Sequence, residues 1–151
     1  MSRVDFFNES HPHVPNAAGL GERKKIMRDA QKIFLWIGMV LILIVGLIHT
    51  VDAKDSFSDA AYKGWLFYAN GLGALVAAYG IFRGRCWGWN LGVLIAAGSF
   101  ISYAASRTVG LPYIPAEPDA WLEPLGVMSL ITEGSFVVVF ILRHLSKKNS
   151  H

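Results

Sequence analysis

The sequence predicts an all-α protein, an integral membrane bundle of four helices with both termini cytoplasmic. Three observations carry that prediction. The 151 residues are 53% hydrophobic and only 17% charged, against about a quarter charged in ordinary soluble domains. The apolar residues gather into four blocks, at about 32–51, 62–82, 87–106 and 124–143. Each is close to the roughly 20 residues that a helix needs to cross a hydrocarbon core of about 30 Å. The basic residues, finally, are segregated. Of the fourteen lysines and arginines, all but Lys54, Lys63 and Arg107 fall in the N-terminal arm (Arg3, Arg23, Lys24, Lys25, Arg28, Lys32), between blocks two and three (Arg83, Arg85), or at the C-terminus (Arg143, Lys147, Lys148). The other two connections carry Asp52, Asp55, Asp59, Glu117, Asp119 and Glu123 instead. This positive-inside asymmetry places the first and third connections outside.

The same distribution accounts for the net charge of +3 without a nucleic-acid partner. The basic patches suit the anionic inner leaflet, so the lipid bilayer is the first expected partner. The expected organisation is a cytoplasmic arm over 1–31, a four-span domain over 32–145 and a short cytoplasmic tail over 146–151. The polar arm does not resemble the n-region of a cleavable signal peptide, and span one is expected to act as an uncleaved anchor. The lone cysteine, Cys86, offers neither an internal disulfide nor a thiolate cluster.

The first sixteen residues carry Pro12 and Pro15, which interrupt regular structure, and His11 and His13, too few donors for a transition-metal site. A helix-compatible run from Gly21 to Lys32 leads into span one, with Phe34 and Trp36 at its inner interface. Gly38, Ile42, Val45 and His49 follow a stripe that faces the bundle. His49 and Asp52 share a face at its outer end. Residues 53–61 are expected to form a short acidic loop.

Span two opens on an aromatic girdle, Tyr62, Trp65, Phe67 and Tyr68. A row of small residues follows, Ala69, Gly73, Ala77 and Gly80, suited to close helix packing in lipid. Asn70 lies about two turns into this span. Arg83 to Cys86 makes a tight inner turn. Trp87 and Trp89 are expected to anchor span three at the headgroups, and Gly88, Gly92 and Ala96 to pack on span two. The same face continues with Ser99, Ser102 and Ser106. The proline-rich connection 107–123 carries Leu111, Tyr113, Ile114 and Trp121 and is expected to lie on the membrane surface or cap the bundle. Pro124 suits the first turn of span four. Gly126, Ser129, Leu130 and Glu133 fall on one strip of that helix.

Glu133 is the leading functional candidate. Nine residues beyond Pro124 at about 1.5 Å each, it sits roughly 13 Å into the span. A charged acid there costs about 2.5–3.5 kcal/mol, and intramembrane acids are functional candidates by default. Its plain role is a helix-to-helix hydrogen bond to Asn70, Ser99 or Ser102; its chemical role is proton handling or metal ligation. Arg107 has the guanidinium fork for Glu123, Asp119 or the outer end of span one, expected first as a clamp tying the tops of spans three and four, with an anion or lipid headgroup site as the alternative. His49 beside Asp52 has the form of a metal ligand oriented by a carboxylate. His49 and Glu133 are thus the metal candidates, with Asp52 or Glu123 able to supply a third donor. The sequence requires no cofactor, and a bound metal ion is the one it leaves room for. No phosphate loop, dinucleotide fingerprint, zinc-protease or nucleophile-elbow motif is present.

The run Ser106-Arg107-Thr108-Val109-Gly110-Leu111-Pro112, with Glu123-Pro124-Leu125-Gly126 and a mid-helix acid behind it, resembles a pattern in small four-span bacterial membrane proteins. In these a His also closes the first span, as His49 does here. The resemblance covers about the outer half of the bundle, and the four spans loosely, and leaves out the N-terminal arm. It implies the bundle fold, a multi-pass place in the bacterial cytoplasmic membrane, and a linked outer-side site of His49, Arg107, Glu123 and Glu133. It brings no activity with it. With no catalytic set in view, the expected role is a non-enzymatic accessory or stabilising subunit docked on other integral membrane subunits, such as a respiratory or metal-dependent oxidising assembly; self-association is open too. The alternative is a membrane binding protein or small transporter that handles a metal ion, a proton or a lipophilic ligand at the His/Glu/Arg site.

Overall fold

A computed structural model describes residues 17–148 of the chain; the expectations for Pro12, Pro15, His11 and His13, and for the last residues of the tail, lie outside them. Four helices make up the fold: α1 (Ala17–Asp59), α2 (Ala61–Phe82), α3 (Cys86–Thr108) and α4 (Pro124–Lys148), with one 3-10 turn at Pro118–Ala120. All four are long and apolar enough to cross a membrane. α1 packs on α2 and α4, and α3 packs on α2 and α4, so the helices follow one another around the bundle in chain order.

α1 is the largest departure from expectation. It is one continuous helix of 43 residues, about 65 Å long at 1.5 Å per residue. The segment expected as a loop over 53–61 is helical as far as Asp59, and Ala60 alone, extended at φ −162°, joins α1 to α2. Nothing in Ala53-Lys54-Asp55-Ser56-Phe57-Ser58-Asp59 breaks a helix, and Ala53 and Ser56 are buried, at 0% and 2% exposure. They prolong the stripe of Gly38, Ile42, Val45 and His49, all buried, by two further turns. The corner is closed by Phe57, which occupies the space beside Gly64, and by an ion pair between Asp59 and Lys63. At its other end α1 is exposed almost throughout residues 21–33, beyond the packed part of the bundle.

The core is built from Ile42 and Val45 of α1, Ala74, Ala77, Ala78 and Ile81 of α2, Trp89, Ile95 and Ala96 of α3, and Phe136 of α4. Trp89 corrects the expectation of an interfacial anchor. It is 1% exposed, its ring lies against Gly38 of α1 and stacks on Phe136, and the Arg143 guanidinium covers its face at 4.6 Å. Trp87, two residues earlier, faces outward.

The small residues of α2 divide between two neighbours. Gly71 and Ala74 meet Gly46 of α1, whereas Gly73 and Gly80 meet Ile95 and Gly88 of α3. Ala69, expected in the row, is exposed. Gly80 and Gly88 let the two backbones touch just before the turn, where Gly84 takes φ +66°, a left-handed conformation open to glycine at no steric cost. In α3, Gly92 receives the ring of Phe136, so this row serves α4 as well as α2.

Candidate functional site

The polar residues gather at the end of the bundle where α1 meets α2 and α3 meets α4, in three groups. The deepest joins α1 to α4. His49 Nε2 is 3.0 Å from Glu133 Oε1, and the Ser129 hydroxyl, one turn before Glu133, donates to the same oxygen at 2.8 Å. His49, Ser129 and Glu133 are 6%, 6% and 1% exposed. His49 reaches α4 because its stripe on α1 faces inward, and the edge of the imidazole is closed off by the ring of Phe67, 4.9 Å away. Phe67 therefore covers the histidine and does not belong to an outward girdle. Glu133 Oε2 is buried with no hydrogen-bond partner.

The second group is Asn70 of α2, whose Nδ2 donates to Ser99 Oγ of α3 at 2.6 Å. Asn70 and Ser99 were expected to satisfy Glu133; they satisfy each other, and Ser102 is exposed. The reason is the order of the helices. Glu133 faces α1, so its partner comes from there.

The third group closes the end of the bundle. Arg107 sits in the last turn of α3, buried at 6%, with Nη1 on Glu117 and Nη2 on Glu123, each at 2.5 Å, and its guanidinium lies 4.8 Å from the centre of the Tyr103 ring. Glu123 was an expected partner. Glu117 was not, and Asp119 takes no part in this fork. Glu117 arrives because the connection folds back on α3: its N–H donates to Ser106 O, Leu111 and Ile114 pair across a turn, and Gly110 takes φ +83°. The Tyr62 hydroxyl donates to Pro112 O and the Tyr103 hydroxyl to Trp121 O, fixing both limbs of the connection. The connection caps the bundle. With two carboxylates on one guanidinium the group carries a net negative charge, so the geometry is that of a clamp and disfavours an anion at Arg107.

Asp52 is half-buried on α1, one turn beyond His49, within electrostatic reach of His49, Lys63 of α2 and Glu123. The expected three-donor set does not assemble. Among the described residues no group of three His, Cys, Asp or Glu side chains is placed to hold a metal ion. Glu123 is spent on Arg107, and His49 with Glu133 makes a pair. Of the residues the sequence did not single out as part of the site, Ser129 was legible from its spacing of four before Glu133, and Ser56 from its spacing of seven after His49. Glu117 left no such signal, because only the folded connection brings it to Arg107.

A concave feature of the surface lies elsewhere. An open groove of about 460 Å³ runs between the outward faces of α1 and α2, lined by Leu43, Leu47, Leu72 and Leu75 over a floor of Gly46 and Gly71. Comparison of the chain with family models, curated proteins and solved structures gives no match.

Proposed function

We propose that this chain is a non-catalytic accessory subunit, a four-span module of a bacterial cytoplasmic membrane that docks on other membrane subunits, with both termini inside. One observation carries the reading. The polar side chains at one end of the bundle join its own elements, as His49 with Glu133, Asn70 with Ser99, and Arg107 with Glu117 and Glu123. Its surface, by contrast, offers apolar helix faces, among them a groove whose leucines stand over glycines. In lipid, helices associate through packing of this kind, with small residues allowing close approach. The exposed basic stretch of α1, with Arg23, Lys24, Lys25 and Arg28, extends the surface available to a partner or to anionic headgroups.

The reading is tested by purifying the full chain at its natural level in a mild detergent. The expected result is a species larger than 16.6 kDa plus its micelle, containing other integral membrane proteins in fixed ratio. Replacing the exposed groove residues Leu47 and Leu72 by alanine is expected to reduce that co-purification while the packing of α1 on α2 is kept. A chain that runs alone, or only with copies of itself, counts against the accessory role.

A further inference from the structure

The two oxygens of Glu133 are treated unequally. Oε1 takes both polar contacts that reach the carboxyl, from His49 Nε2 and from the Ser129 hydroxyl, while Oε2 is buried and has no partner. A carboxylate kept only to hold helices together gains most when donors reach both oxygens, since it has about four acceptor positions. A bare, buried carboxyl oxygen is costly as part of an anion and cheap as part of a neutral acid. The group facing it is an imidazole, the side chain best suited to exchanging protons near neutral pH.

Charge counting sharpens the point. With a neutral imidazole and an ionised Glu133, the pair places one negative charge inside the bundle. One added proton makes the pair neutral, on whichever partner it rests. In an apolar surrounding the net neutral state carries the smaller desolvation penalty. Among the described residues the other buried side-chain polar atoms without hydrogen-bond partners are Ser56 Oγ and Arg107 Nε. Neither belongs to a group that gives up or takes a proton in this range.

We propose that His49 and Glu133 form a proton-binding site that takes up and releases one proton per chain. Uptake forms one N–H bond on the imidazole; as Nε2–H breaks, an O–H bond forms on the Glu133 carboxyl, and no electrons are exchanged. The charge of the site rises by one. The ionisable groups at this end of the bundle are Asp52, within electrostatic reach of His49, with Asp55, Lys63 and Glu123 in turn acting on Asp52, and Arg107 paired with Glu117 and Glu123. Among these Asp52 is one turn from His49, and both Asp52 and Glu123 are in part exposed, which brings solvent protons to the same end of the bundle.

The full chain in lipid nanodiscs is to be followed by infrared difference spectroscopy between about pH 5 and pH 8, the range in which imidazole-linked sites exchange protons. We expect the carbonyl band of a buried carboxylic acid to titrate in the unaltered chain, to persist in Asp119→Asn, and to be lost completely in Glu133→Gln. A band that survives in Glu133→Gln, or spectra without such a band in the unaltered chain, overturns the proposal. Should Glu133→Gln fail to fold, nitrogen NMR decides in a chain with His11, His13, His144 and His151 replaced by Gln. An imidazole signal of His49 that moves with pH over the same range supports the site; one that stays fixed overturns it.

Discussion

The indole of Trp89 on α3 lies directly against Gly38 on α1, in space that any larger residue at position 38 would occupy. α1 and α3 are opposite one another in the ring of four helices, so this contact spans the middle of the bundle. A Cβ at Gly38 would overlap the far edge of the indole, and the ring is held from behind by Phe136 and Arg143.

Gly38→Ala is therefore expected to lower stability by about 1–3 kcal/mol through overpacking. Trp89→Ala is expected to cost about 3–5 kcal/mol by leaving a cavity. Trp87→Ala, at an outward position, is expected to stay within about 1 kcal/mol. Thermal or denaturant unfolding of the three purified variants, read by helicity, separates these outcomes. Equal effects for Trp87 and Trp89 would mean that the second ring is not in the core.

The His49–Glu133 pair predicts an asymmetry between single and double variants. His49→Ala leaves the carboxyl buried and is expected to cost about 3–5 kcal/mol. A joint replacement, His49→Leu with Glu133→Leu, is expected to cost less than His49→Ala alone, because no buried carboxyl is left without its partner and only the Ser129 hydroxyl loses an acceptor. A double-mutant cycle on unfolding free energies measures the coupling directly.

At Arg107 the charge alone is not sufficient, since the two Nη nitrogens reach two different carboxylates. Arg107→Lys keeps the charge and loses the fork. Glu117 and Glu123 are more than half exposed, so the net loss is expected near 1 kcal/mol and to shrink as salt is raised. The local effect is larger than the global one. Limited proteolysis within residues 109–123 is expected to accelerate in Arg107→Ala and Arg107→Lys alike.

Glycines at contacts and glycines facing open space give a paired prediction. A Cβ at Gly88 would come within 2.5 Å of the Gly80 carbonyl carbon, and Gly88→Ala is expected to push the α2–α3 hairpin apart at a cost of about 1–3 kcal/mol. Gly98 and Gly134 have nothing within 4 Å of the added atom. Gly98→Ala and Gly134→Ala are expected to be neutral or to stabilise by up to about 1 kcal/mol through helix propensity. Unfolding midpoints of the three variants provide the comparison.

The proposed orientation is open to a test that uses the chain's single cysteine. Cys86 is exposed at the start of α3, next to the turn that carries Arg83 and Arg85. A membrane-impermeant thiol reagent is expected to leave Cys86 unmodified in intact cells and to label it in inverted vesicles. Ala60→Cys in a Cys86→Ser background is expected to show the reverse. Labelling of Cys86 from outside would invert the arrangement.

Much of the fold is written in the apolar blocks. Their lengths mark the four helices, and the period of Gly38, Ile42, Val45 and His49 identifies the buried face of α1. The continuation of that face through Ala53 and Ser56 has the same period, yet the charges of Asp52, Lys54, Asp55 and Asp59 suggest a loop. Hydropathy reports where a chain leaves lipid, and a helix does not have to end there. Trp89 was misplaced for a related reason: a tryptophan near a span's end is usually interfacial, and only the gap at Gly38 makes room for it inside.

The sequence by itself determined that four helices form, which face of α1 turns inward, and that His49, Arg107 and Glu133 would be the polar groups to account for. Which of these meet was decided by tertiary structure. Glu133 pairs with His49 and not with Asn70 because α4 lies beside α1, and Arg107 gains Glu117 because the connection folds back onto α3. Spacing along a helix fixes the direction of a side chain, whereas the identity of its partner depends on which helix is packed there, and that follows from the fit of Gly38, Gly46, Gly71, Gly80 and Gly88 against their neighbours.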